Sequence, residues 1–225
     1  MTWQIQLSGK IATGVRAELF DVDLFDTPPA LVRDLRRKHR LVLCYLSAGT
    51  DEDYLLPTQR FPPETRGSHL ADHHDERWLD VRAIDKLKPV IDRRLDLCKR
   101  NGYTGVDFDN VDGYSNDSGF ALSAADQLRY NRYLAAAAHA RGLAAGLKND
   151  VNQVPKLAGS FDFAINEQCF QYHECGVLQR EFVRHGKPVF QIEYLKPVRF
   201  CARAKRLGFS SLYKRPGLGA YRVSC

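Results

Sequence analysis

Eight short β-rich runs punctuate the chain, at residues 3–7, 16–22, 41–47, 103–108, 143–147, 161–166, 188–193 and 210–214. Helical patterns fill most of the intervals. Residues 28–39 open on prolines, which suit a first helical turn. Residues 81–101 carry Ile84, Leu87, Val90, Ile91, Leu95 and Cys98 at helical spacing and then meet Gly102, a stop signal. Residues 123–141 open on a cap-like Ser123–Asp126 pair and end at Gly142. Shorter helices fit 152–158, 174–185 and 198–207. Strands alternating with helices imply a parallel sheet with right-handed crossovers. Eight repeats predict an α/β fold of one kind, a single (β/α)8 TIM barrel. An open doubly wound sheet is the alternative, but no phosphate-binding glycine fingerprint accompanies it. Residues 8–15 are too few and too glycine-broken for a helix, so the barrel is expected to be trimmed between its first two strands. The length of 225 residues, below the ~250 typical of the fold, agrees. No linker or low-complexity segment divides the chain, and 1–225 is expected to form one barrel domain. The stretch 49–77 has neither period and is expected to be a long irregular loop over the exit of the third strand.

Composition closes off several function classes. No apolar run approaches the roughly 20 residues that span a bilayer, so no membrane partner is expected. The net charge of +6 invites a nucleic-acid reading. The densest basic cluster, Arg33, Arg36, Arg37, Lys38 and Arg40, falls on a predicted helix and reads as a solvated face. No zinc-finger spacing or aromatic RNA-binding signature joins it, and no nucleic acid is expected. Met1-Thr2-Trp3-Gln4 enters a strand directly, without a signal-peptide pattern. The chain is therefore expected to be cytosolic or to lack its leader. Of six cysteines, Cys44 in an apolar strand and Cys98 on a helix read as buried thiols. Cys169 with Cys175 and Cys201 with Cys225 are candidates for bridges, which would favour an oxidising compartment.

Catalytic side chains of such a barrel emerge at the carboxyl ends of its strands. The second strand supplies Asp21 and Asp23, the third Tyr45 and Ser47. The fourth supplies Asp107 and Asp109, followed by Asn110, and the fifth Lys148, Asn149 and Asp150. The sixth gives Asn166, Glu167 and Gln168, the seventh Glu193 and Tyr194, and the eighth Lys214. Packing alone has no need of acids and amides around one rim, so a polar, acid-rich pocket is expected. Two carboxylates on different strand ends, Asp109 and Glu167, are what glycosidic bond cleavage requires. Rival chemistries fit less well. Counted from Asp107 as an EF-hand loop, position five is Val111, glycine falls at seven and position twelve is Ser118, so the calcium pattern fails. His69, His73, His74 and Asp75 share a predicted loop with no second ligand group nearby and read as solvated polar residues. No metal or cofactor is expected. Ser47 lacks the flanking glycines of a nucleophile elbow. A Schiff-base role for Lys148 ranks behind a charge-balancing role beside carboxylates.

Long motifs in consistent order then suggest a family. They include Trp3-Gln4-Ile5-Gln6-Leu7, residues 21–26 (DVDLFD), Cys44-Tyr45-Leu46-Ser47-Ala48-Gly49 and Arg77-Trp78-Leu79-Asp80-Val81-Arg82. They continue with residues 105–114 (GVDFDNVDGY), Gly146-Leu147-Lys148-Asn149-Asp150, Asn166-Glu167-Gln168-Cys169, Glu174-Cys175, Lys187-Pro188-Val189 and the terminal cysteine. The chain resembles, almost end to end, the endo-α-1,4-polygalactosaminidase family of glycoside hydrolases (family 114), a barrel group of secreted bacterial and fungal proteins. The resemblance implies endo-acting hydrolysis of α-1,4-linked galactosamine polymers by a retaining pair. Asp109 matches the nucleophile and Glu167 the general acid/base. Asp107 is the nearest rival to Asp109 or a supporting group. Lys148 and Asn110 would keep Asp109 ionised, whereas Glu167 must hold a proton near neutrality. Asp21, Asp23 and Glu193 are expected partners for substrate ammonium groups, and Trp78, Tyr45 and Tyr194 offer stacking faces to sugar rings. An extracellular monomer with its leader absent is implied, with a cytoplasmic location as the alternative. A non-catalytic carbohydrate-binding barrel is the second functional expectation. Residues 68–76 (SHLADHHDE) depart from the Gly/Trp-containing turn expected of the family. The positive net charge would oppose a polycationic substrate unless the cleft itself is acidic.

Overall fold

Side chains alternate between an inner and an outer face along the eight parallel strands, and this alternation builds the fold. The structure, a computed structural model, describes residues 1–196 and 199–225. In chain order its elements are β1 (Trp3–Gln6), β2 (Leu19–Asp23), α1 (Pro29–Arg37), β3 (Leu41–Ser47), β4 (Thr50–Glu52), β5 (Arg66–His69), β6 (Glu76–Leu79) and α2 (Ile84–Asn101). There follow β7 (Gly105–Asp109), α3 (Ala124–His139), β8 (Ala144–Lys148), α4 (Val154–Leu157), β9 (Phe163–Glu167), α5 (Cys175–Glu181), β10 (Val189–Glu193), α6 (Cys201–Leu207), β11 (Ser210–Tyr213) and β12 (Val223–Ser224). The main sheet runs β1-β2-β3-β7-β8-β9-β10-β11-β12, parallel throughout except for the antiparallel β12. The result is a mixed α/β fold built on a curled, nine-stranded, largely parallel sheet.

One set of side chains, including Phe20, Val22, Val42, Cys44, Leu46, Val106, Phe108, Ala145, Leu147 and Ala164, packs outward against the helices. The other, Trp3, Ile5, Leu19, Leu43, Phe163, Ile165, Phe190, Ile192 and Leu212, fills the inside of the curl. Burial on both faces is what a parallel sheet covered by helices demands. The inner row turns polar toward the carboxyl ends of the strands, and this places the site. The two ends of the parallel run, β1 and β11, share no ladder. Side chains link them instead: the Trp3 indole donates to the Ser210 carbonyl at 2.8 Å, and the buried Lys214 ammonium donates to the Ile5 carbonyl at 2.7 Å. Arg222 also bonds the Trp3 carbonyl.

The eight parallel strands agree with the expected runs to within a few residues, and no helix occupies 8–15. The expected helix 198–207 is described from Cys201 onward, and Val198 lies outside the described residues. Two expectations are corrected. Residues 49–77 are not an irregular loop: β4, β5 and β6 form a small antiparallel sheet in the order β4-β6-β5. These strands are only three or four residues long and carry charges at adjacent positions (Asp51 and Glu52, Glu76 and Arg77), which conceals the period-2 signal. Cys44 and Cys98 are not free thiols but a disulfide joining β3 to α2, with Cα atoms 6.0 Å apart. Cys169–Cys175 and Cys201–Cys225 are also bonded.

The Cys44–Cys98 bridge closes 54 residues of chain and pins the helix that backs β3. Removing it as the double variant Cys44→Ala/Cys98→Ala should cost about 4 kcal/mol through the regained freedom of the unfolded chain. Chemical denaturation of the variant against the parent measures this directly.

Candidate active site

Three neighbouring strands, β7, β8 and β9, each end on a charged residue pointing inward: Asp109, Lys148 and Glu167. Each is followed at once by a non-glycine residue with positive φ, namely Asn110 at 60°, Asn149 at 47° and Gln168 at 65°. This left-handed step is uncommon outside glycine, although Asn tolerates it better than most residues. It reverses the chain sharply and returns backbone N–H and side-chain amide groups to the strand ends. The Asn110 N–H donates to Asp109 Oδ1 at 2.9 Å, and the Glu167 N–H donates to Asn149 Oδ1 at 2.9 Å.

Lys148 is the hub. Its ammonium is 3.4 Å from Asp109, 3.6 Å from Glu167 and 3.6 Å from Asp107, and its side chain is 2% exposed. Burial alone would depress the lysine pKa, but Asp107, Asp109 and Glu167 together hold it well above the usual value. A Schiff-base lysine must be neutral to react, so this environment disfavours that chemistry. Burial also works against an ionised Asp109. Lys148, the Tyr45 hydroxyl donating at 2.6 Å and the Asn110 N–H outweigh it, and the Asp109 carboxyl ends below the usual carboxylate range. The Tyr194 hydroxyl donates to Glu167 Oε1, the oxygen turned away from Lys148. Asp109 and Glu167 keep 18% and 22% of their side-chain surface, enough to meet a ligand, whereas Asp107 keeps none.

These groups lie at the floor of a cleft of about 740 Å³. Asp23, Tyr45, Trp78, Asn110 and Tyr194, all expected at the site, line it with them. Trp78 is nearly buried in the wall, and Asp23 Oδ1 is already engaged by the N–H groups of Phe25 and Asp26. Asp21, Asp107 and Glu193 do not reach the cleft. Asp21 and Asp107 are wholly buried beneath it. Glu193 belongs to the other face of β10, where it accepts from the Phe170 N–H at 2.7 Å and from Gln191. Alternation settles the matter: Phe190, Ile192 and Tyr194 face inward, so the intervening Glu193 faces the helices. Direct contact with substrate ammonium groups is therefore closed to Asp21 and Glu193.

Several cleft residues escaped the sequence reading. The small sheet brings Asp72, His73, Asp75 and Glu76 to the wall, and Tyr54 stands 60% exposed at the mouth. Glu76 Oε2 accepts from Thr50 Oγ1 at 2.5 Å and from Asn110 Nδ2 at 3.2 Å, so the small sheet braces the residue that follows Asp109. Burial raises the Glu76 carboxyl above its ordinary range. Beyond Glu167 the cleft continues into a second cavity of about 260 Å³ lined by Asp112, Tyr114, Asn149, Asp150, Glu174 and the exposed Tyr172, among others. Asp112 lines both cavities, and burial with Asp109 nearby raises its carboxyl to about 6.

Gly49 lets this site close. A Cβ there would fall 1.6 Å from the Asn110 carbonyl oxygen, so any side chain must push the β7 turn away. Gly49→Ala should cut turnover at least about tenfold, through the sensitivity of catalysis to ångström-scale misplacement. Steady-state kinetics, with a folded circular dichroism spectrum as control, is the check. Asp150, raised to about 8 first by burial and then by Asp112, favours its protonated form in the folded chain. Its stabilising contribution is full below an unfolded pKa of about 3.9 and is lost as pH rises through about 8. Asp150→Asn should flatten the decline of stability over that window, measured by denaturation at several pH values.

Comparisons with known proteins agree with this geometry. The family model described as glycoside-hydrolase family GH114 matches residues 1–225. The crystal structure of Aspergillus fumigatus Ega3 in complex with galactosamine superposes with a TM-score of 0.93 at 35% identity, covering 100% of this chain and 94% of Ega3. The glycoside hydrolase domain of PelA from Pseudomonas aeruginosa superposes with a TM-score of 0.77 at 17% identity, covering 99% and 98%, and shares the fold. Comparison with curated protein sequences gives no match. A match over the full length of the chain, with a relative at this level of identity, establishes that the protein belongs to glycoside-hydrolase family GH114.

Proposed function

We propose that this glycoside hydrolase is an endo-acting enzyme that cleaves α-1,4-linked galactosamine-containing polysaccharide with retention, Asp109 serving as nucleophile and Glu167 as general acid/base. The observation that carries the proposal is the charge of the cleft. Eight carboxylates line it (Asp23, Asp26, Asp72, Asp75, Glu76, Asp109, Asp112 and Glu167) against one lysine and one histidine, with no arginine among the lining residues. The molecule as a whole carries +6. An acidic cleft in a basic protein suits a chain of ammonium-bearing sugars, and the objection raised by the net charge falls away. The galactosamine bound to Ega3 supports the same substrate class.

In the first step the Asp109 carboxylate attacks the anomeric carbon. The glycosidic C–O bond breaks, and its electron pair takes the proton from Glu167. In the second step Glu167 removes a proton from water, whose oxygen attacks the same carbon and releases Asp109. Lys148 touches both carboxylates, so their nearest oxygens lie no further apart than its two contact distances laid end to end. That bound is compatible with the roughly 5–5.5 Å separation of retaining enzymes. Endo action fits a groove that continues past Glu167 into the second cavity, with the exposed rings of Tyr54 and Tyr172 on its two sides. We read the curled sheet as a (β/α)8 barrel closed through side chains between β1 and β11, and 1–225 as one catalytic unit. Three disulfides favour an extracellular, oxidising location.

Asp109→Asn and Glu167→Gln should each abolish release of oligomers from de-N-acetylated galactosaminan while leaving the fold intact. Proton NMR of the fresh product should report the α anomer. Turnover should fall with added salt and with N-acetylation, both of which weaken the charge attraction. Saccharide binding without any product, even at high protein concentration, would instead identify a non-catalytic binding barrel.

A further inference from the structure

The residues directly below Lys148 present a problem of proton accounting. Asp21 on β2 and Asp107 on β7 come from alternate strands of the parallel run and meet inside the curl, the arrangement by which alternate strands share one interior layer. Both are 0% exposed, and among the described residues none of their four carboxylate oxygens finds a hydrogen-bond donor if both are ionised. Among the described residues, the one cation within ion-pair distance is Lys148, which reaches Asp107 at 3.6 Å and is already shared with Asp109 and Glu167. Two buried carboxylates without donors, within hydrogen-bond reach of each other, are strongly disfavoured as a pair of anions. A single proton between them removes most of that cost, because the acid donates to the anion and satisfies an oxygen on each side.

We propose that Asp21 stands as a neutral carboxylic acid, donates its proton in a hydrogen bond to the ionised Asp107, and so acts as a positioning residue that holds Lys148 between Asp109 and Glu167. This role rests on the catalytic reading above, but the protonation itself does not. The groups facing Asp21 are Asp107, Lys148 and Asp109, and those facing Asp107 are Lys148, Asp109, Asp21 and Glu167. Burial first, then the charge of Asp107, pushes the Asp21 carboxyl well above its ordinary range. Asp107, raised by burial to about 6 against the pull of Lys148, is the partner that ionises first. The division of labour has a consequence for catalysis. An anionic Asp107 anchors the ammonium from below, so Lys148 stays in place while Glu167 gives up and regains its proton.

Asparagine supplies the same donor without the ability to ionise, so it separates the alternatives. Infrared difference spectra of the protein alone, wild type minus Asp21→Asn at neutral pH, should contain the carbonyl stretch of one protonated carboxylic acid. Its absence would overturn the proposal whatever the enzyme cleaves. On galactosamine polymer, Asp21→Asn should keep turnover within about tenfold of the parent, with both limbs of the pH–rate profile in place, since no charge has been removed. Displacement of both limbs to lower pH by about one unit would mean that Asp21 is an anion in the parent and would sink the idea. Asp21→Ala removes the donor and should lower kcat by about a hundredfold with little change in KM, the signature of a misplaced catalytic group. An Asp21→Ala protein that fails to fold leaves the asparagine arm and its infrared band to decide the question.

Discussion

The buried ammonium of Lys148 is the interaction on which the site depends. Three carboxylates from two other strands lie within 3.6 Å of it. Without that charge they would repel one another in a water-poor interior, and at least one of them would take up a proton. With it, Asp109 stays ionised even though it is largely withdrawn from water. The lysine is secured in turn by the fold, because β8 lies between β7 and β9 in the sheet and its inward face meets both. The parallel order of the strands is therefore an electrostatic device as well as a packing solution.

Around this hub the chain uses one local trick three times. Each of β7, β8 and β9 ends on its charged residue and then steps through the left-handed region. Such steps persist only where the surroundings over-determine them, and they cluster at functional sites. At β7 the support is visible: Asn110 is held by Ser47, Thr50 and Glu76 and passes close over Gly49. The small antiparallel sheet is thus a brace as well as a wall. Its residues and loop also bring Asp72, Asp75 and Glu76, three of the eight carboxylates that set the cleft apart from the basic body of the molecule.

Much of this was legible in the residues. The eight parallel strands, their order and the missing first helix follow from the alternation of apolar runs with helical spacing and from Gly102 and Gly142 as stops. Asp109, Lys148 and Glu167 were visible as polar residues at strand exits. Glu193, expected as a partner for substrate ammonium groups, sits at a strand end but on the helix side of it. The inward parity of Phe190, Ile192 and Tyr194 carried the information to exclude it. Strands β4 to β6 are hidden because three or four residues with charges at consecutive positions give no clear period. The Cys44–Cys98 bridge was hidden because two cysteines in apolar surroundings look the same whether or not they meet.

What the sequence determined by itself is the set of local choices: which runs form strands or helices, which strand ends carry acids, and which family the motifs resemble. Those choices depend on near neighbours along the chain, through periodicity, capping and turn chemistry. The tertiary structure alone decided which acids meet a ligand and which lie beneath the cleft. It also decided that a chain with net positive charge opens an acidic groove, and that one lysine serves three carboxylates. Each of these depends on distances between strands far apart in sequence, where burial and the sum of neighbouring charges fix the protonation and reach of a side chain.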